Sequence, residues 1–200
     1  MVEITKRKIE ELVLKAQIKF DSAEVEKIVC TQEDASLKSP GVPAHYYRFL
    51  YTFTKEYKPA LCVELGTHTG ISALCMAEGN PQGQIVTLDV NSYLRNECKR
   101  PNIEYWLQDS LLPLKRPLSN VDMLFVDTVH NGTRPRNEYY YWLQYMNPEG
   151  VIFFDDIYLF DEMKKFWQEF SPMEGEKFDL PIHGAAGFGV VILNKEKVCK

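Results

Sequence analysis

Long apolar runs are missing from this 200-residue chain: no stretch approaches the ~18–20 apolar residues that cross a bilayer. The opening Met1-Val-Glu-Ile-Thr-Lys-Arg-Lys8 also lacks the apolar core of a secretory signal. Positive charge is in deficit, 23 Lys and Arg against 28 Asp and Glu, and the formal charge of −5 disfavours a general nucleic-acid binder. Cysteine is sparse, odd in number and scattered (Cys30, Cys62, Cys75, Cys98, Cys199), with no C-x-x-C pair. Reduced thiols and a cytoplasmic location are the expectation. Internal repeats and low-complexity segments are absent as well. What is present is ordinary for a water-soluble globular chain, 45% apolar and 26% charged residues, at a length that suits one domain with a full core.

Two patterns divide the chain. Residues 1–58 read as a helical segment packed on the core, which runs over 59–200. Ile9, Leu12, Val13 and Ala16 make one apolar stripe at i, i+3, i+4, i+7, and Tyr46, Phe49, Leu50 and Phe53 make another after the Ser39-Pro-Gly-Val-Pro43 break. These helices are expected to precede the sheet and cover the mouth of a site. From Ala60 onward, short apolar runs alternate with helical stretches. Leu61–Leu65, Gln84–Leu88, Ile103–Leu107, Met123–Val126 and Val151–Phe154 suit strands covered on both faces. A helix is expected from Thr133 and Pro135 to the Asn147-Pro-Glu-Gly150 stop, with Tyr139, Trp142, Leu143 and Met146 on its stripe, and a further one carries Phe160, Met163, Trp167 and Phe170. Lys177–Ile182 and Phe188–Leu193 flank the turn His183-Gly-Ala-Ala-Gly187 and read as a hairpin. Repeated β-α units ending in a hairpin describe an α/β, Rossmann-like, doubly wound and mostly parallel sheet with an antiparallel edge.

The most informative stretch is Ala60-Leu-Cys-Val-Glu-Leu-Gly-Thr-His-Thr-Gly-Ile-Ser72. A buried strand ends in an acid, Glu64; Gly66 and Gly70 follow at G-x-x-x-G spacing, and a helix starts at Ile71. Such a turn lets backbone N–H groups and a helix N-terminus approach a ligand closely. The spacing differs from the dinucleotide fingerprint G-x-G-x-x-G. In open α/β sheets ligands bind beyond the carboxyl ends of the strands, so the residue after each strand is the one to inspect. Strand two ends in Asp89, where a carboxylate can accept from two vicinal ribose hydroxyls. Strand three ends in Gln108-Asp109-Ser110, strand four in Asp127-Thr-Val-His130 and strand five in Asp155-Asp156. An acid after strand two also serves NAD, so Asp89 alone does not identify the cofactor.

Over roughly Pro59 to Asn194 the chain resembles the class I S-adenosylmethionine (SAM) methyltransferases, whose small O-methyltransferases carry E-L-G-x-x-x-G-x-S. The resemblance implies a seven-stranded sheet and a SAM site made by Glu64, Gly66, Thr67, His68, Gly70, Ser72, Asp89, Val90, Gln108, Asp109, Ser110 and Asp127. Ser72 would meet the methionine carboxylate, the Asp109 corner the adenine amine, and His68 would contribute mainly its backbone. The acids after strands four and five resemble those of the catechol and caffeoyl-CoA type enzymes, with Asp156 in place of an asparagine. That implies a divalent ion, Mg²⁺ or Ca²⁺, held by Asp127, Asp155 and Asp156. The catechol enzyme's lysine three residues after its first metal aspartate is replaced here by His130, a competent general base. D-x-x-H after strand four is also similar to a broader bacterial methyltransferase group. The expectation is therefore O-methylation of a small hydroxylated acceptor with Asp127 and His130 as catalytic residues, no membrane or nucleic-acid partner, and a homodimer as the commonest oligomer. Tyr158 and Phe160 would wall the acceptor pocket. Rival readings are an NAD-dependent oxidoreductase, a non-catalytic SAM-binding module and a hydroxylase-like activity on the same fold.

Overall fold

A computed structural model describes residues 3–16, 23–30, 45–182, 184 and 186–194, with the backbone alone for Cys30 and His45. The Ser39–Pro43 break, His183 and Cys199 lie outside the described residues. Three helices come first: α1 (Lys6–Ala16), α2 (Ala23–Cys30) and α3 (His45–Tyr57). The alternating part contains β1 (Leu61–Leu65), α4 (Ile71–Gly79), β2 (Gln84–Asp89), β3 (Ile103–Leu107), β4 (Val121–Val126), α5 (Thr133–Trp142), β5 (Met146–Asp155), α6 (Asp161–Glu169), β6 (Glu176–Leu180) and β7 (Phe188–Ile192). The seven strands form one sheet in the order β3-β2-β1-β4-β5-β7-β6. The first five are parallel, and β7 runs antiparallel between β5 and β6. The chain order reverses at β1 and β4, which is where a doubly wound sheet opens a crevice.

Strand periodicity divides the core in two. Cys62, Ile85, Met123, Phe125, Val151 and Phe153 face one layer, built with α1 to α4, while Val63, Val86, Leu124, Val126, Ile152 and Phe154 face the other, built with α5 and α6. Continuous burial along β4 is what a strand covered on both faces requires. Helix α4 is buried from Ile71 through Ala77, so it is apolar all round rather than amphipathic. Helix α3 lies over the first layer. Phe49 and Phe53 meet Phe153 edge-on at centroid distances of 5.4 and 5.0 Å. The Asp122 carboxylate ties the strand starts together by accepting from Ala60 N–H at 2.7 Å and from the Asn147 side-chain amide at 3.0 Å.

One expected boundary is corrected. The helix carrying Tyr139 and Trp142 ends at Trp142, Leu143–Tyr145 form a single 3-10 turn, and Met146–Asp155 is strand. Met146 fits the helical stripe and is buried, but it pairs with Val121 instead, with a shift in register before Met123. Asn147-Pro-Glu-Gly150 thus lies within an irregular strand start, where a proline is tolerated.

Candidate active site

The ends of β1 and β4 approach so closely that Gly66 has no room for a side chain. Its φ is +101°, and a Cβ there would lie 1.8 Å from the Asp127 carbonyl oxygen. Gly70, at φ +88°, is hemmed by Leu94. The resulting turn opens a cavity of about 440 Å³ at the carboxyl ends of the first four strands, with Gly66, Asp89, Gln108, Asp109, Ser110 and Asp127 in its wall. Val90, Tyr93 and Val129 line the same cavity and are 59–63% exposed, which is unusual for apolar side chains unless a ligand covers them.

The backbone donors of the turn are used differently from the expectation. Gly66 N–H and Thr67 N–H both bond the Leu88 carbonyl, at 2.8 and 3.2 Å, Gly70 N–H bonds Thr67, and His68 N–H bonds Asp89 Oδ2 at 2.8 Å. The turn therefore offers close approach more than free donors. Asp89 is clamped facing the cavity, because its other oxygen accepts from Asn91 N–H at 2.8 Å; each oxygen keeps a further lone pair. His68, with φ +43°, gives its N–H to Asp89 rather than leaving it free, and its ring lies beside Tyr93.

Glu64, Gly70 and Ser72 do not line this cavity. Glu64 is fully buried and accepts from Thr87 Oγ1 at 2.5 Å, and that hydroxyl is 2.6 Å from Thr67 Oγ1. Burial pushes the Glu64 carboxyl up to about 8, against the lowering effect of the Ser72 and Thr87 hydroxyls. Its geometry makes it the peg under the glycine turn.

Arg134 and Glu138, one helical turn apart on α5, build a network that the sequence does not announce. Arg134 forks onto Asp109, with Nη2 2.5 Å from Oδ1 and Nη1 3.2 Å from Oδ2, and its Nε bonds Glu138 Oε1 at 2.8 Å. Glu138 is fully buried and also accepts from Ser110 Oγ at 2.5 Å and Thr128 Oγ1 at 2.7 Å. The second arginine of this helix start, Arg136, lies over the Phe166 ring at 5.4 Å instead. An i,i+4 Arg–Glu pair was the available signal.

The second constellation adjoins the first at Asp127. His130 Nε2 lies 3.6 Å from Asp127 Oδ1 and 3.3 Å from Asp156 Oδ2. Burial works against the imidazolium, but the Asp127 and Asp156 carboxylates outweigh it and raise the His130 pKa above its usual 6.5. Asp155 is buried, and desolvation together with the charges of Asp127 and Asp156 drives its carboxyl far above the usual range. Asp156 adopts φ +54°, an uncommon conformation for a residue with a side chain. The side chains of Tyr46 and Tyr47, from the start of α3, are buried close enough to Asp155 and Asp127 for those charges to raise both phenols further after burial has done so. Only Tyr46 stands out in the sequence, and as core. Phe160 is half exposed beside the His130 ring at 5.9 Å, whereas Tyr158 turns its hydroxyl to Asp179 on β6.

The acids do not fit the expected divalent-ion site. Among the described residues no three metal-ligating side chains gather into a coordinating group. An imidazole nitrogen stands instead between Asp127 and Asp156, and hard ions prefer oxygen donors alone. The cavity, by contrast, fits a nucleoside ligand: it has a Cβ-free floor at Gly66, a fixed carboxylate at Asp89 and exposed apolar walls.

Sheet order, glycine turn and cleft define a class I methyltransferase fold. Residues 63–157, just under half of the chain, match the family model described as a methyltransferase domain. Solved structures agree on the fold. The O-methyltransferase TomG of Streptomyces achromogenes, solved with SAM, is 16% identical at a TM-score of 0.68, covering 96% of this chain and 99% of its own. An O-methyltransferase of Bacillus cereus, solved with SAH, is 18% identical at 0.68, covering 94% and 97%. A Podospora anserina methyltransferase bound to SAH is 16% identical at 0.70, covering 97% and 98%. Among curated proteins no sequence matches significantly.

Proposed function

We propose that the protein methylates an oxygen of a small hydroxylated acceptor, with SAM as donor. One observation carries this reading: Asp127 lines the nucleoside-sized cavity and also stands at ion-pair distance from His130, so a binding site and a proton acceptor share one residue. The solved neighbours described as O-methyltransferases support the choice of oxygen. In this reading Asp89 holds the ribose hydroxyls, Asp109 and Ser110 frame the base, and Gly66 lets the backbone close under the ligand. When bound, SAM supplies an electrophilic methyl group. His130 takes the acceptor's hydroxyl proton on the ring nitrogen that faces away from the two carboxylates, and Asp127 and Asp156, facing Nε2, steady the imidazolium that forms. Phe160 offers an apolar face to the acceptor, and the buried Tyr46 and Tyr47 would keep water from the Asp127 and Asp155 side. A divalent ion is not part of this reading, because the side chains of Asp127, Asp155 and Asp156 are not arranged as ligands.

The test is SAH formation from SAM across a panel of small phenols, catechols and aliphatic alcohols, with wild type and His130→Ala, with and without Mg²⁺. Turnover on at least one acceptor, abolished in the variant, is the expected outcome. SAM binding without turnover on any acceptor would leave a binding module. Turnover that demands Mg²⁺ would restore the metal.

A further inference from the structure

The Asp109 carboxylate has two unequal oxygens. Oδ1 accepts from Leu111 N–H at 2.8 Å and from Arg134 Nη2 at 2.5 Å, which fills its lone pairs. Oδ2 has a single, longer bond from Arg134 Nη1 at 3.2 Å and keeps room for a second donor. Both Asp109 and Arg134 line the cavity. The guanidinium in turn cannot swing away while its Nε is bonded to Glu138, a carboxylate with no solvent exposure that is gripped by Ser110 and Thr128 as well. Trp142 Nε1 bonds the Ser110 carbonyl at 3.0 Å and anchors the same corner to α5. A long, rotamer-rich side chain is thus immobilised beside the ligand site by a buried group that touches no ligand itself.

We propose that Arg134 and Glu138 are positioning residues that turn Asp109 Oδ2 toward the exocyclic amine of the cofactor's base and so make the pocket select an aminopurine over an oxopurine. The proposal rests on the SAM reading above. Arg134 loads Oδ1 and fixes the carboxylate plane; Glu138 fixes Arg134. An amine donates to Oδ2. A carbonyl at the same place on the base would set two acceptors against each other, and Asp109 Oδ2 would be left without the donor it faces. The network also explains why Glu138 is retained in the interior: without a cation beside it, a buried carboxylate in that position is costly.

Calorimetric titration of SAH and of its hypoxanthine counterpart, S-inosylhomocysteine, tests this on wild type, Glu138→Gln and Arg134→Lys. Wild type should prefer SAH by at least about tenfold, the scale of one hydrogen bond to a charged acceptor. Glu138→Gln keeps the shape and the bond to Ser110 but loses the charge that holds Arg134, and the preference should shrink by about threefold or more, mainly through weaker SAH binding. Arg134→Lys keeps the charge and loses the fork, and should shrink it likewise; it serves as the second variant if Glu138→Gln does not fold. A purely structural role would lower the melting temperature and weaken both ligands together, leaving the ratio intact. Folded variants with an unchanged ratio overturn this inference alone. Failure of wild type to bind either ligand overturns the SAM reading and this inference with it.

Discussion

Replacing Glu64 by glutamine should flatten the pH dependence of stability by several kcal/mol. Glu64 lies under the glycine turn with no solvent exposure, and burial pushes its carboxyl to about 8, against ~4.3 in an unfolded chain. Between those values the folded protein holds the proton more tightly than the unfolded one, so protonation favours the fold. The contribution is fully present below about pH 4.3, falls as pH rises through the window, and is lost above about 8. The gap of nearly four units, at 1.36 kcal/mol each, sets an upper bound of roughly 5 kcal/mol. Glutamine keeps an acceptor for Thr87 Oγ1, whose bond to Glu64 measures 2.5 Å, and removes the ionisation. Urea unfolding of both proteins at intervals from pH 5 to 9 yields the difference directly. Wild type should lose ground to the variant steadily, by at least about 2 kcal/mol at pH 9, even after denatured-state effects reduce the bound. Parallel stability curves would refute the assignment of a neutral, buried Glu64.

Other consequences follow from the same geometry. Gly66→Ala would place a Cβ 1.8 Å from the Asp127 carbonyl at a left-handed φ; SAM affinity should drop at least about tenfold and stability by about 2 kcal/mol or more, read by calorimetry and denaturation. The raised pKa of His130 means its imidazolium supports the fold below pH ~6.5 and ceases to as pH rises through its folded value. For a base the opposite limb matters, so the methyl-transfer rate should climb with pH through a midpoint above 6.5, and the midpoint should move down in Asp156→Asn. Asp155, buried beside two like charges with its carboxyl held far above normal, should tolerate Asp155→Asn with a gain in stability that grows from pH 5 to 8, measured by thermal melting.

The fold was legible because its signals are local. The strands β1 and β3 fall on the residues that their apolar runs mark, and the G-x-x-x-G turn fixes which strand opens the cleft. The strand-end rule then placed Asp89, Asp109 and Asp127 around one cavity. Long-range partnership is what one-dimensional reading missed. Asp109 pairs with Arg134 from a helix 25 residues away, and Tyr46 and Tyr47 come from a helix that precedes the whole sheet, so no spacing links them to Asp155. Met146 was misread because one buried position satisfies a helical stripe and a strand start equally. The metal expectation rested on three acids converging, and a single side chain inserted between two of them changes the chemistry.

The most direct measurement is a calorimetric titration of the wild-type protein and of Asp89→Ala with SAM and, separately, with NAD. A micromolar SAM site that weakens at least about tenfold in the variant, the scale of a charge-assisted bond pair, with no comparable heat from NAD, is the expected result. Absence of SAM binding, or tighter binding of NAD than of SAM, would contradict the assignment of this cleft.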